Sequence, residues 1–412
     1  MKHFSTKMML FVLMSMMGAN AYAQDITVEN SQGVKLSYYY TKDGKDLILA
    51  RCASDPKNVI IPEEVTYMNR TRKVTSIGDG AFQSQSYLTS VTIPNTVTSI
   101  GINAFQDCRR LTSVTIPEGV TSIGMRAFAS SGLTSITIPN SVTTIGAHAF
   151  QSCNELTSVT LPSNVTSMGT GAFQFCNKLT SISIPGSLAI IEPGTFMSCS
   201  SLASVTISNG VKIIKETAFE GCSSLTSITI PNSVLSIGMM TFEGCTSLAS
   251  ITIGSGLIGI QERAFRDCES LSAVHISDIA AWCKVVFKGG YSNPLGIAHH
   301  LYLNGNEVKD LVIPEGVTVI KNSVFYYLAN LNSLTLPKSL SKIENYAFKG
   351  CDITTVNAMM DNPTGITKKA DSSSPFSLNT FNNATLNVPA GAIEKYKATE
   401  GWKDFVFIEE KK

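Results

Sequence analysis

Charge is scarce in this chain of 412 residues: Asp, Glu, Lys and Arg make up 15% and nearly cancel, leaving a net charge of +1. Nucleic acids and anionic membranes are bound through clustered Lys and Arg, so neither is expected as a partner. The short basic clusters, Arg70 to Lys73 and Arg109-Arg110, read as solvated faces. Histidine is also rare. His3, His148, His275, His299 and His300 stand in no nucleophile or metal motif, and the last two form the sole doublet. Without a CxxC pair or a Cys/His cluster at zinc spacing, a structural metal site is not expected. The glycines recur at fixed intervals instead of gathering into a phosphate-binding loop, so the reading is of a non-enzyme with no cofactor and no metal. After residue 23 no apolar run is long enough to span a bilayer, and no wall-sorting motif or lipidation cysteine is evident.

What the chain has in abundance is itself. Leu225 to Ser247, LTSITIPNSVLSIGMMTFEGCTS, is echoed along most of the sequence. Phenylalanine marks the register at 82, 105, 128, 150, 173, 196, 219, 242 and 265, a step of 23 broken once by 22, and again at 325 and 348. Repetition at such a period means a solenoid, in which each unit buries its apolar face only against its neighbours. Within one unit the apolar positions are Leu225, Ile228, Ile230, Val234, Ile237, Phe242 and Cys245. The Ile228-x-Ile230 alternation predicts a short strand that Pro231 ends, since proline has no N–H for a ladder. Ser236 to Gly238 predicts a second extended piece at a corner, and Met239 to Cys245 a single helical turn.

The pattern Leu-x-x-Ile-x-Ile resembles the leucine-rich repeat. The continuation I-P-x-x-V-x-x-I-x-x-x-A-F-x-x-C resembles the BspA-like, or Treponema pallidum type, repeat of bacterial surface proteins, over roughly residues 56 to 358. The resemblance implies a leucine-rich-repeat arc of short parallel strands, rich in β-structure with short helical turns. It also implies an exported, adhesin-like module that binds host matrix or other surface proteins.

The rest of the chain starts, interrupts or ends the array. Residues 1–23 read as a signal peptide: Lys2 and Lys7 precede the apolar run Met8 to Ala19, and Ala21-Tyr22-Ala23 is a cleavage site that would leave Gln24 first. Residues 24–74 are a cap, with strands Ser37 to Tyr40 and Leu47 to Arg51 around the turn Lys42 to Lys45 and a first rung at Asn58 to Pro62. Regular repeats fill 75–276. An island at 277–308 follows. There Ser277-Asp278 would cap a helix through Phe287 over Trp282, and Leu301 to Leu303 would form a hairpin with Glu307 to Ile313 across Asn304-Gly305. Further repeats occupy 309–358. Residues 359–412 hold a polar loop, a last rung at Ala384 to Pro389, a short helix at Ala392 to Lys397, and Trp402 and Phe405 as end-cap core.

Ten cysteines in an exported chain would ordinarily mean disulfides. Here eight of them, at 108, 153, 176, 199, 222, 245, 268 and 351, each follow a repeat phenylalanine by three residues. Stacked rungs hold equivalent residues about 4.8 Å apart with parallel side chains, whereas a disulfide needs Cβ atoms at roughly 3.8 Å turned toward each other. A column of unpaired, apolar thiols is therefore expected, and Gln85, Ser131 and Leu328 replace single members without removing a partner.

Outward strand positions carry Ser and Thr in rows, among them Ser158 and Thr160, Ser181 and Ser183, and Ser204 and Thr206. Near the island the row changes to Ala273 and His275, then to Asp310 and Val312. Large exposed aromatics are expected toward the ends and at the island, at Tyr38 to Tyr40, Tyr67, Tyr291, Tyr302, Tyr326 and Tyr327. Aromatic anchors outweigh single hydroxyls in binding. The expected principal site is thus a projecting island that gathers Tyr291, His299, His300 and Tyr302 beside Ala273, His275 and Asp310, with the hydroxyl rows adding avidity. A structural, envelope-associated spacer without a ligand is the second reading. Ice binding is a remote third, because an arched array cannot follow a flat lattice.

Overall fold

The structure, a computed structural model, describes residues 26–369 and 371–411; the predicted signal peptide lies outside them. One rung shows how the sequence makes the coil. Ser227–Ile230 alternates exposed and buried residues, putting Ile228 and Ile230 inside and Ser227 and Thr229 outside. It pairs in parallel with Ser250–Ile253, residue for residue at a step of 23. After Pro231 the chain turns, and Ser236–Ile237 enters a second parallel ladder between Ile213–Ile214 and Gly259–Ile260.

The third side differs from the expected helical turn. It is a series of hydrogen-bonded turns in which alternate N–H groups cross to the next rung: Thr217 N to Met239 O at 2.9 Å, Phe219 N to Thr241 O at 2.9 Å, and Gly221 N to Glu243 O at 2.8 Å. The groups between them bond within the rung, Glu220 N to Thr217 O and Cys222 N to Phe219 O, both at 3.2 Å. A helix would use every N–H internally and leave this side unpaired between rungs. Alternation requires two left-handed residues per rung, two before and two after the phenylalanine: Thr217 (φ 56°) and Gly221 (70°), Met240 (55°) and Gly244 (74°), Arg263 (59°) and Asp267 (59°). Each non-glycine residue so placed costs roughly 1 kcal/mol or more, which the added inter-rung ladder offsets.

Inside, the phenylalanines stack. From Phe82 to Phe265 successive ring centroids lie 5.0 to 5.7 Å apart, and all nine rings are fully buried. A second stack runs Phe325, Phe348 and Phe376. All ten cysteines are buried free thiols.

The N-terminal cap adds three antiparallel strands, Ile26–Glu29, Lys35–Tyr40 and Leu47–Cys52, the last paired in parallel with Arg70–Ile77 at the head of the second ladder. The hairpin was legible, its outer strand Ile26–Glu29 was not, and Asn58–Ile60 does form the first rung of the other ladder. Tyr38, expected on the surface, is fully buried in this cap, because the strand turns alternate residues inward. The basic clusters are not purely solvated either. Arg72 lies 4.9 Å over the Tyr40 ring and donates through Nε to Gly44 O, and Arg110 lies 5.2 Å over Tyr87.

The segment after Ile276 does not project. Asp278 caps a helix limited to Ile279–Trp282, accepting from Ala281 N at 3.0 Å. The β-branched residues that follow leave the helix, and Val286–Phe287 joins the second ladder beside Gly259–Ile260. A further helix, Leu295–Ala298, was not foreseen. Leu301–Leu303 extends the first ladder beside Ala273–Ile276 and turns back through Asn304-Gly305 onto Asn306–Glu307. The predicted second hairpin strand is therefore split, since Asp310–Val312 opens the next rung beside Ser333–Leu336. Trp282 is buried, and its Nε1 donates to Val324 O at 3.1 Å, tying the insert to the rung beyond it.

At the C-terminus the strand Thr385–Val388 is not the last: Phe407–Glu410 adds one more parallel strand. Helices Leu378–Asn383 and Ile393–Ala398 close the end over Phe376, Phe381, Tyr396, Trp402 and Phe405, all buried.

Candidate partner-binding surface

The outward rows of the first ladder are in register: Ser158 opposite Ser181, Ser181 opposite Ser204, and Ser183 opposite Thr206. Ser158, Thr160, Ser181, Ser183, Ser204 and Thr206 are all exposed, and none of their hydroxyls has a protein partner among the described residues. The threonines just before each strand behave otherwise. Thr157 donates to Thr134 O at 3.0 Å and Thr180 to Thr157 O at 3.4 Å, so they brace the rungs and leave the strand face available.

The row Thr229, Thr252 continues directly into His275 and then Tyr302. The two rings stack with centroids 4.8 Å apart, and they are half-buried. Beside them runs a shallow groove of about 590 Å³, lined by Thr229, Asn232, Thr252, His275, Asn304 and their neighbours. Apart from the His275 imidazole, its polar side chains are amides and hydroxyls. Ala273 lies on the same strand as His275, opposite Ser250, where it leaves a smooth step in the row.

The other expected members of the site are dispersed. Tyr291 is 61% exposed but stands on the turn side, lining a separate pocket with Tyr326 and Tyr346. His299 ends the helix Leu295–Ala298 with φ 62°, and its ring packs edge-on to Tyr327 at 5.9 Å. His300 donates from Nδ1 to Glu307 Oε1 at 2.8 Å. That bond, with one from Asn330, holds the Glu307 carboxyl below the ordinary carboxylate range. Asp310 accepts from Ser333 Oγ at 2.6 Å and belongs to the following sheet. The doublet His299-His300 is split because the helix ends between its carbonyl side and the strand: one ring faces the turns and the other the hairpin. Sequence reading missed Asn232 and Asn304 as groove residues, though Pro231-Asn232, a pair that also follows the strands at Pro94-Asn95 and Pro139-Asn140, is a visible signal for the first of them.

Among the described residues no group of three His, Cys, Asp or Glu side chains is placed to hold a metal ion. No helix among them is long and apolar enough to cross a membrane.

No curated protein matches the sequence significantly. Solved structures do. A leucine-rich repeat protein from Bacteroides ovatus is 26% identical, with a TM-score of 0.51 over 79% of this chain and 93% of that one. The Treponema pallidum leucine rich repeat protein is 27% identical, covering 52% of this chain and 87% of that one with a TM-score of 0.43. A leucine rich cell surface protein from Faecalibacterium prausnitzii is 24% identical, with a TM-score of 0.44 over 91% and 98% of the two chains. The BspA type leucine rich repeat region matches residues 75–203, 170–290 and 296–396. With most of the chain so matched, and the 23-residue coil behind it, the protein belongs to the BspA type leucine-rich-repeat family.

Proposed function

We propose that the protein is exported and acts at the cell surface or beyond it as an adhesin-like interaction module, binding a protein of the host matrix or epithelial surface. One observation carries this reading: rows of unpartnered Ser and Thr hydroxyls run into the stacked His275–Tyr302 pair and the groove beside it. Repeated hydroxyls are weak anchors singly, while a half-buried aromatic pair supplies contact area at low entropic cost. Ala273, His275 and Tyr302 form the centre of this site, and Ser158 through Thr206 extend it. Extended solenoid faces serve protein recognition across many repeat families, and the leader read at Lys2 to Ala23 supports export. The test is binding of the mature chain to immobilised matrix proteins and mucins, compared with the Tyr302→Thr variant. Binding that weakens about tenfold or more in the variant supports the site. Strong binding untouched by Tyr302→Thr removes this site, and no binding to any surface favours an envelope-associated spacer.

A further inference from the structure

On the turn side, a pocket of about 460 Å³ opens between the insert and the rung of Phe325. Its origin is a break in the third ladder. Arg263 and Phe265 still donate across, to Gly290 O at 2.9 Å and Tyr291 O at 3.0 Å. The backbone N–H groups of Gly289, Gly290, Tyr291 and Asn293, however, meet no protein acceptor among the described residues, while Ser292 closes a turn over Gly290-Tyr291. In a regular rung the next turn would take alternate members of such a run. Here the next turn, at Phe325, does not pair with this run, and Gly289 to Asn293 line the pocket between them. Asn293 is itself buried, at 8% exposure, where an N–H without an acceptor is costly.

Three tyrosines, Tyr291 within this run and Tyr326 and Tyr346 beyond it, line the pocket, and no Asp, Glu, Lys or Arg does. Gly296 keeps Tyr326 accessible, since a Cβ there would lie 3.3 Å from its Cδ1. A pocket that offers several N–H donors, aromatic faces and no counter-charge selects a neutral ligand rich in acceptors, with one apolar face. We propose that it binds a saccharide unit carrying an acetamido group, an N-acetylhexosamine. The C–H face of the pyranose covers a tyrosine ring. The acetamido carbonyl takes an N–H from the Gly289 to Asn293 run, and its methyl group fills the apolar part. An acidic sugar would bring a charge with nothing to pair it. This site is distinct from the strand face and stands whether or not that face binds a protein.

The experiment is calorimetric and NMR titration of the mature chain with N-acetylglucosamine, N-acetylgalactosamine, glucose and a proline-rich peptide. Two variants test the place. Gly290→Leu puts a side chain into the open space, because a Cβ at Gly290 meets nothing within 4 Å. Tyr291→Gly removes a ring at a left-handed position, φ 57°, that glycine adopts freely. Saturable binding of an N-acetylhexosamine, weakened about tenfold or more in both folded variants and poorer for glucose, is the expected result. Absence of saturable sugar binding, equal binding of glucose, or binding unchanged in both variants overturns the proposal. A peptide that binds and is lost in both variants, while the sugars do not bind, would assign the pocket to polypeptide instead and equally overturn it.

Discussion

Cys222 Sγ lies 3.3 Å from the carbonyl oxygen of Phe196, one rung back, and donates to it. The same bond recurs down the column, from Cys108 to Phe82 O at 3.1 Å through Cys351 to Phe325 O at 3.1 Å. The thiol therefore fills volume like an apolar residue and also satisfies the second lone pair of a buried carbonyl, a role that spacing alone did not reveal.

All ten cysteines should then titrate as free thiols after denaturation of protein made in an oxidising compartment, and none should react quickly in the native state. Denatured-state thiol titration with and without prior alkylation measures both. Any pair lost to a disulfide would contradict the column.

Alkaline pH should destabilise the fold. Burial raises the Cys153 thiol from its ordinary value near 9 to about 11, and Cys108, Cys268 and Cys351 to about 12. Below pH 9 both states hold these protons, so their contribution is constant. Above about pH 9 the unfolded chain ionises while the folded chain holds its protons, up to about pH 11 for Cys153 and about pH 12 for the others, and over that window stability falls by about 1.4 kcal/mol per pH unit for each thiol. Denaturant melts from pH 8 to 11 should show this slope, and Cys153→Ser, which places the residue found at Ser131, should reduce it. A flat profile would mean the thiols ionise as easily when folded.

Replacing Phe196 by Ala opens a gap in the ring stack, 5.7 Å from Phe173 and 5.5 Å from Phe219, and should cost about 3–5 kcal/mol. Ser181→Ala, on the exposed face, should change stability by less than about 0.5 kcal/mol. Comparable losses in urea melts would reverse the assignment of inside and outside.

The inside was legible because phenylalanine and the apolar-x-apolar strand alternation recur at a step of 23 with one step of 22 from Phe82 to Phe265. The third side was not. A run such as Met239 to Cys245 has ordinary helical propensity, and the left-handed positions are held by residues as unlike as Arg126, Phe175 and Met240. Only contact with the next rung, which takes alternate N–H groups, rules out the helix. The candidate site was legible in half. His275 and Tyr302 lie in the same row because strand register carries them there, whereas Tyr291 is sent to the other side by a helix too short to show in the sequence.

The left-handed geometry makes its own prediction at Arg126, exposed with φ 53°. Arg126→Gly relieves the backbone and should raise stability by about 0.5–1 kcal/mol after the entropy of glycine is counted. Arg126→Val, β-branched, should lower it by about 1 kcal/mol or more. Equal melts for both would show that this turn relaxes without strain.

The insert also determines how its function can be tested. Excising Gly289 to Asn306 would remove Leu295 and Leu301, both fully buried, along with the strand that continues the ladder from Ala273–Ile276. It would also bare Trp282, whose Nε1 holds Val324 O. The deletion should therefore detach the rungs beyond Asp310 from the first array and expose them to limited proteolysis, so lost binding would say nothing about a site. Tyr302→Thr restores the hydroxyl row and should alter stability by less than about 1 kcal/mol, since Tyr302 is only half-buried and its main partner is the His275 ring. A deletion that melts and resists protease like the intact chain would show that the segment is an appendage after all, and would reopen the reading of it as a projecting island.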